Sequence, residues 1–164
     1  MVRDSLISLA GELDMEVGGP SIPVADEKSR RRSLYFVHSH NEHNKMLAAF
    51  DDANVLDCYR RAESIVPQQA LALENSNLAM EMVDRIAIRL QASNPTVGDR
   101  EFARQAFVTI LADEPTRAEL DLIDQMMTKM RDYAGDANPA QARNRARVGL
   151  VRGLINHNDF ITIR

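Results

Sequence analysis

His38, His40 and His43 lie within six residues of one another, and Glu42 stands beside the last of them. In an extended segment alternate side chains point to the same side, so His38 and His40 would face one metal ion together. His43 would complete a three-ligand zinc site of the catalytic type, with a fourth position open to water. The alternative is a solvated loop that is rich in histidine, and the spacing alone does not distinguish the two.

A second candidate site involves Asp51, Arg60 and Arg61, which stand in a region flanked by apolar residues. Arginine holds carboxylate and phosphate groups through paired N–H donors, so these residues predict a pocket for an anionic ligand or a sugar. Gln69 and Asn75 border a short predicted helix and would add amide groups to that pocket. The structural alternative is an ion-pair network, with the amides bonded to loop backbone, which requires no ligand.

The composition argues against several classes of function. Apolar residues make up 45% and charged residues 27%, as in folded globular domains, and no apolar run approaches the roughly 20 residues of a bilayer helix. The net charge of −4 and the absence of Trp argue against a nucleic-acid partner. Cys58 is the only cysteine, so the chain has neither an internal disulfide nor a Cys-x-x-Cys-His haem motif.

From Ser64 onwards the elements are predicted to be helices, because apolar side chains recur there at helical spacing. Residues 39–58, which carry several of these candidates, show no clean period and are predicted to be irregular. Thr116 and Glu119 form a capping box, Asn138 with Pro139 begins another helix, and Asp99 is predicted to cap a third. The expected core residues are Leu78, Met82, Val83, Ile86 and Leu90, then Phe102, Ala103, Ala106, Phe107, Ile110 and Leu111, then Leu120, Ile123, Met127 and Met130, then Ala142, Ala146, Leu150 and Leu154.

The last predicted helix is basic. Residues 139–164 carry five basic and one acidic side chain, whereas residues 99–138 carry five basic and nine acidic ones. Arg143 and Arg147 share a helix face and would suit a phosphate-contacting helix, but an acidic chain favours pairing with its own carboxylates. Glycine inside a helix costs about 1 kcal/mol relative to alanine, so close approach of a neighbouring helix is predicted at two positions, Gly149 and Gly153.

The N-terminal third contains more loop than helix. Gly18-Gly19-Pro20 is predicted to end the first helix, and residues 16–32 to form an internal linker. Residues 33–37 are rich in aromatic and β-branched side chains and residues 160–163 alternate, so both segments are predicted to be extended. The sequence as a whole predicts a single all-α domain over residues 1–164, an irregular bundle of about five helices with a loop-rich N-terminal third and short extended segments.

Leu6, Leu9 and Leu13 lie on one face of the first predicted helix, which begins without a capping residue or a signal-peptide pattern. This start indicates either a fragment whose first helix began upstream or a start codon placed late, and we expect this face to be exposed as an apolar patch that docks on upstream domains. The alternative is an enzyme, a hydrolase or a redox-linked enzyme acting on polysaccharide or another polymer, with a site around residues 31–61.

Several short blocks occur in a characteristic order along almost the whole chain. They are Arg3-Asp4-Ser5 through Gly18-Gly19-Pro20-Ser21, Arg32-Ser33-Leu34-Tyr35, Phe50-Asp51, Arg60-Arg61, Pro67-x-Gln69-Ala70-Leu71-x-Leu73-x-Asn75, and Leu154-Ile155-Asn156-x-Asn158-Asp159-Phe160. The ordered set resembles a planctomycete-type C-terminal domain of unknown function, found in large secreted proteins that often carry a cytochrome-c-like domain.

That resemblance implies a periplasmic or extracellular bacterial setting and a multidomain parent, with any haem bound by an upstream domain. It implies no known activity. Asp52-Ala53-Asn54 replaces a Pro-Asp-Pro that is frequent in the family, and histidines follow Tyr35 where an arginine is common, so a site in that loop would be altered here. The residues and the resemblance together favour an accessory or binding module over an enzyme.

Overall fold

The computed structural model describes residues 2–39, 43–50, 66–133 and 138–161. These residues form helices and two isolated β-bridges but no strand, which confirms the all-α class, and none of their helices is long and apolar enough to cross a bilayer. The chain divides into two compact units, Met1–Met82 and Val83–Arg164. The helices are α1 (Val2–Ala10), a 3₁₀ turn (Ser33–Tyr35), α2 (Lys45–Ala49), α3 (Val66–Glu74), α4 (Asn77–Ser93), α5 (Asp99–Leu111), α6 (Arg117–Tyr133), α7 (Pro139–Ile155) and α8 (Asn158–Ile161).

Helix α1 ends earlier than the sequence indicated. Gly11 adopts a φ of +79°, which glycine tolerates without strain. Its N–H bonds to the carbonyl three residues back at 2.9 Å, and the next N–H bonds to the carbonyl five residues back at 3.0 Å. This pair of bonds is the Schellman motif, so Gly11 and not Gly18-Gly19-Pro20 terminates the helix. Leu13 therefore lies beyond α1.

A buried polar cluster attaches α1 to the loop that follows it. Arg3 is 2% exposed and donates to the carbonyl oxygens of Ser29 at 2.5 Å and Arg31 at 2.9 Å. The N–H and hydroxyl of Ser33 donate to the Asp4 carboxylate at 2.9 and 2.5 Å. Burial lowers the pKa of the Arg3 guanidinium, and the neighbouring Asp4 carboxylate opposes that shift. These hydrogen bonds all join α1 to residues 29–33, so the cluster holds the loop after α1 against that helix.

The segment predicted as a linker, residues 16–32, lies inside the first unit. Arg31 donates to the carbonyl oxygens of Gly18 and, at 2.8 Å, of Pro20, and its guanidinium lies 4.0 Å from the centroid of the Tyr35 ring. The Tyr35 hydroxyl accepts the Gly18 N–H at 2.9 Å. The glycine turn is thus held to Arg31 and Tyr35 by hydrogen bonds within the unit.

Two segments that the sequence predicted to be extended are helical in part, although Phe36 of the first is extended and forms a β-bridge with Ile22, and residues 162–163 of the second lie outside the described residues. Ser33–Tyr35 forms the 3₁₀ turn, closed by a 3.1 Å bond from the Phe36 N–H to the Ser33 carbonyl. Asn158–Ile161 forms α8, which overlaps the predicted extended segment 160–163. Runs of four or five residues carry too little periodicity to separate strand from helix, so tertiary contacts decide. The count of about five helices is not confirmed, since short helices such as α2 and α8 add to it.

In the second unit, α5, α6 and α7 pack against one another, and their ends follow local chemistry. The Thr116 N–H donates to the Glu119 carboxylate at 2.7 Å and the Glu119 N–H to the Thr116 hydroxyl at 3.3 Å, which confirms the capping box. Asn138 accepts an N–H from the first turn of α7 at 2.9 Å, also as predicted. The N-cap of α5 is Gly98, however, so Asp99 is its first helical residue and not its cap.

Most of the predicted core residues are buried, and the exceptions all lie in the second unit. Leu111 and Leu120 are only half-buried, and Met130 is 38% exposed. A Cβ placed on Gly149 would lie 2.9 Å from the Met130 sulfur, whereas one placed on Gly153 would meet nothing within 4 Å. The predicted close approach of helices therefore occurs at Gly149, and its prediction at Gly153 is wrong.

Candidate functional site

The histidine cluster is only partly within the described residues. His38 and His43 are both exposed, while His40 and Glu42 lie outside the described ranges, as does Cys58. Over the part of the chain that the structure describes, no group of three or more potential metal ligands comes together. The zinc hypothesis depends on His40, so it stays a prediction.

Only part of the predicted anion or sugar pocket lies within the described residues. Asp51, Arg60 and Arg61 lie outside the described residues. Gln69 is buried in α3 with 7% of its surface exposed. Asn75 follows α3, and its side-chain amide donates to the carbonyl four residues earlier at 2.8 Å. Asn75 thus bonds to the backbone at the end of its own helix, as the structural alternative for that residue has it. The enzyme hypothesis stays a prediction.

The leucine face predicted for docking is not a continuous exposed surface. Leu6 has no exposed surface, so this chain itself covers it. Leu9 and Leu13 are half-buried, and Leu13 lies beyond the glycine that ends α1. Leu6 must therefore be removed from the predicted docking residues, because α1 buries that side of the helix within its own unit.

An open apolar groove of about 1050 Å³ runs along α6 and α7 in the second unit. Leu122, Met126 and Met130 are spaced four residues apart on α6, so they form one continuous stripe along it. Leu122 is 66% and Tyr133 is 95% exposed, and the groove is distinguished by the grouping of such side chains on one surface. Gly149 of α7 completes the lining, and its missing side chain leaves room for Met130.

The charged residues that line the groove are mostly cationic. Lys129 and Arg145 contribute two positive charges and Asp132 one negative charge. Methionine has three flexible torsions and a polarisable sulfur, so Met126 and Met130 can adapt to apolar side chains of different shapes. The groove therefore combines an adaptable apolar surface with an excess of positive charge.

A second feature of the same unit is a carboxylate shared by three arginines. Asp99 accepts from Arg131 at 2.7 Å on one oxygen, and from Arg143 at 2.6 Å and Arg147 at 3.0 Å on the other. Arg143 and Arg147 each also donate to the Val97 carbonyl at 2.9 Å. The prediction that the basic last helix pairs with acidic residues of this chain is confirmed at these two arginines.

This cluster has a marked excess of positive charge. Three guanidinium groups and one carboxylate leave a formal charge of +2. Burial raises the pKa of Asp99, but hydrogen bonds from Arg143 and Arg147 outweigh that effect and leave the pKa below its usual value. Arg147 is 4% exposed and lies 4.5 Å from the centroid of the Phe102 ring. The arginine spacing signalled this pairing, but the role of Asp99 was missed because Asp at a helix start resembles a cap.

Comparisons with known proteins give a family. The family described as PSD1, a protein of unknown function (DUF1553), matches residues 1–127, which extend from α1 into α6. No curated protein is significantly similar to the chain. No solved structure is significantly similar either. Because the match covers most of the 164 residues, the chain belongs to the PSD1 family of proteins of unknown function (DUF1553).

Proposed function

We propose that this chain is a helical binding module that receives a partner segment in the α6–α7 groove. The observation that supports the proposal is the run of exposed apolar side chains there, above all Leu122 and Tyr133. Contiguous exposed apolar surface on a folded domain usually marks an interaction site. The groove replaces the leucine face of α1 as the docking surface, since Leu6 is covered within the chain.

The partner that fits this groove is an amphipathic helix with acidic residues beside its apolar face. An apolar channel along two helices suits the helix-in-groove mode, in which side chains at positions i, i+4 and i+7 are inserted. The cationic excess from Lys129 and Arg145 would attract carboxylates at the edges of such a helix and repel a basic one. Charge complementarity thus selects the partner, while the apolar stripe supplies most of the affinity.

We further propose that the partner helix belongs to an upstream domain of the same protein. Membership of the PSD1 family makes this a domain of unknown function, which is compatible with an accessory role. The extracytoplasmic bacterial setting, the multidomain parent and the cytochrome-c-like neighbour are proposals from the sequence resemblance described above. In this arrangement the chain would be an accessory domain that positions or stabilises the upstream part of its parent.

The test is a binding measurement between this chain and the separately produced upstream part of its parent. Calorimetry should show a saturable complex that buries apolar surface, with a negative heat-capacity change. Leu122→Glu places a carboxylate in the apolar stripe and should weaken binding at least about a hundredfold, since a buried unpaired charge costs about 3 kcal/mol or more.

Ile88→Glu is the matched control, because Ile88 is 59% exposed on α4 and does not line the groove. It should leave the affinity unchanged, and circular dichroism should show both variants to be folded. Absence of binding by the unmodified chain would overturn the docking proposal. Equal weakening by Leu122→Glu and Ile88→Glu would overturn the assignment to the groove.

A further inference from the structure

Beside the shared carboxylate lies a small cleft that the groove does not include. Its volume is about 370 Å³, and Arg143 and Arg147 line it together with Pro139 of the first turn of α7. The side-chain amides of Gln91 and Asn144 complete its polar lining and are joined by a 2.9 Å hydrogen bond. A cleft of this size has room for a small polar ligand or one group of a larger ligand.

The charge of this cleft selects the sign of its ligand. Two guanidinium groups line it, those of Arg143 and Arg147, and the Asp99 carboxylate that both contact neutralises one of these two charges, so the cleft keeps an excess of positive charge. The cleft also lies at the N-terminal end of the 17-residue helix α7, where the helix dipole adds positive potential. Asp99 itself is not among the residues that line the cleft.

The donors are also held in place before any ligand arrives. The Val97 carbonyl and the Asp99 carboxylate bind Nε and Nη2 of both Arg143 and Arg147. The third guanidinium nitrogen, Nη1, takes no part in these four bonds in either arginine. The Phe102 ring beside Arg147 fixes that guanidinium further. A ligand would therefore find charged donors whose conformational freedom is already lost, which favours binding.

We infer that this cleft binds an oxyanion, a sulfate or phosphate group that is either free or carried on a larger ligand such as a modified sugar. Guanidinium groups bind such oxygens through charge-assisted hydrogen bonds, and two adjacent ones suit a doubly charged group. The site differs from the α6–α7 groove in its residues and in the chemistry of its ligand, so it can be tested independently of the docking proposal.

The test is a calorimetric titration of the whole chain with sodium sulfate and with sodium phosphate, at constant ionic strength set with chloride. A saturable signal with one site is expected. Asn144→Asp places a carboxylate in the cleft lining and should weaken binding at least about tenfold. Arg143→Gln removes one charged donor and should weaken it by a similar factor, while circular dichroism shows that both variants remain folded.

The matched control is Arg100→Gln, because Arg100 is an exposed arginine of α5 that pairs with Asp121 and Asp124 and does not line the cleft. Its affinity for the anion should stay within about twofold of that of the unmodified chain. A sulfated oligosaccharide and its unsulfated counterpart then separate the two sources of the oxyanion. Tighter binding of the sulfated sugar than of free sulfate identifies a carried group, and equal binding identifies the free ion.

Two results would overturn the inference. One is a titration without a saturable signal at constant ionic strength, because screening alone would then account for any effect of salt. The other is equal weakening by Asn144→Asp, Arg143→Gln and Arg100→Gln, because a general loss of positive charge would then explain the data.

Discussion

Each compact unit contains a buried arginine with the same three kinds of partner. Arg3 and Arg147 are 2% and 4% exposed, and each donates to backbone carbonyls, contacts an aspartate and lies over a phenylalanine ring. A buried guanidinium needs its donors satisfied, and backbone carbonyls are abundant acceptors in loops. At the residue scale, arginine thus fixes irregular backbone: the loop after α1 in one unit and the turn before α5 in the other.

The first prediction concerns Asp99. Its pKa in the folded chain is below the ordinary value of 3.8, so its contribution to stability is present above that pH and is lost as the pH falls through the folded pKa. Asp99→Asn should lower the free energy of unfolding at pH 7 by about 2 kcal/mol, because three arginines lose their shared anion. Urea unfolding at a series of pH values from 7 to 2 measures both effects.

The variant should also lose the part of the acid dependence that Asp99 supplies, so its stability should approach that of the unmodified chain at low pH. Asp84→Asn, at an exposed position of α4, is the control and should change neither quantity. The assignment would fail if the difference in unfolding free energy between Asp99→Asn and the unmodified chain were the same at every pH.

At the element scale, α7 presents three surfaces with different tasks. Its small and aliphatic residues, such as Ala146 and Leu150, are buried in the core. Its arginines bind Asp99 at the start of α5, and Gly149 completes the apolar groove with α6. One helix thereby connects the core, the charged cleft and the groove. This division follows from the 3.6-residue period, which places residues three or four apart on a shared face.

The second prediction compares the two glycines of α7. Gly153→Ala should raise the free energy of unfolding by up to about 1 kcal/mol, since alanine favours helix and its Cβ meets nothing within 4 Å. Gly149→Ala should give a smaller gain or a loss, because the new Cβ would lie 2.9 Å from the Met130 sulfur. Urea unfolding followed by far-ultraviolet circular dichroism measures the difference.

Combining Gly149→Ala with Met130→Ala separates the two effects at that position. If the Met130 sulfur causes the penalty, Gly149→Ala should be more favourable in the Met130→Ala background than in the unmodified chain, since the clash is then gone. An identical effect in both backgrounds would show that Gly149 is not required for the approach of α6 to α7.

At the scale of the whole molecule, the chain consists of two units with separate anchors. The first unit, Met1–Met82, contains the Arg3 cluster and a small core of Ile22, Phe36 and Leu47. The second, Val83–Arg164, contains the α5–α7 bundle with the Asp99 cluster. Because each unit has its own buried polar anchor, we expect local perturbations to stay within the unit where they are made.

The third prediction tests that expectation by hydrogen exchange. Arg3→Met keeps much of the side-chain volume but removes the bonds to the loop carbonyls, so it should speed exchange in α1 and over residues 18–37. Exchange in α5, α6 and α7 should stay as it is. Arg147→Met should speed exchange in α5, α6 and α7 and leave exchange in α1 and over residues 18–37 unchanged. Uniformly faster exchange throughout the chain in both variants would show that the two units open together.

Local chemistry accounts for the parts that the sequence predicted correctly. The capping box of Thr116 with Glu119 and the Asn138 cap involve residues within a few positions of each other, so spacing is sufficient evidence. The same is true of the apolar stripes of α4, α5 and α7. The pairing of Arg143 and Arg147 with acidic residues was predictable from charge, but its focus on Asp99 was not, because no rule of spacing joins α5 to α7.

The sequence by itself determined the helical class, most helix ends and most of the core, because these depend on propensity and on the period of apolar residues. The early end of α1 is also local, because the Schellman motif at Gly11 involves only neighbouring residues. Only the tertiary structure decided the helical form of Ser33–Tyr35 and the placement of Asp99 among three arginines. It also decided that Leu6 is covered while Leu122 and Tyr133 are exposed. Such features depend on contacts between residues that are distant in sequence, and those contacts outweigh local preference wherever a segment is short or a polar group is buried.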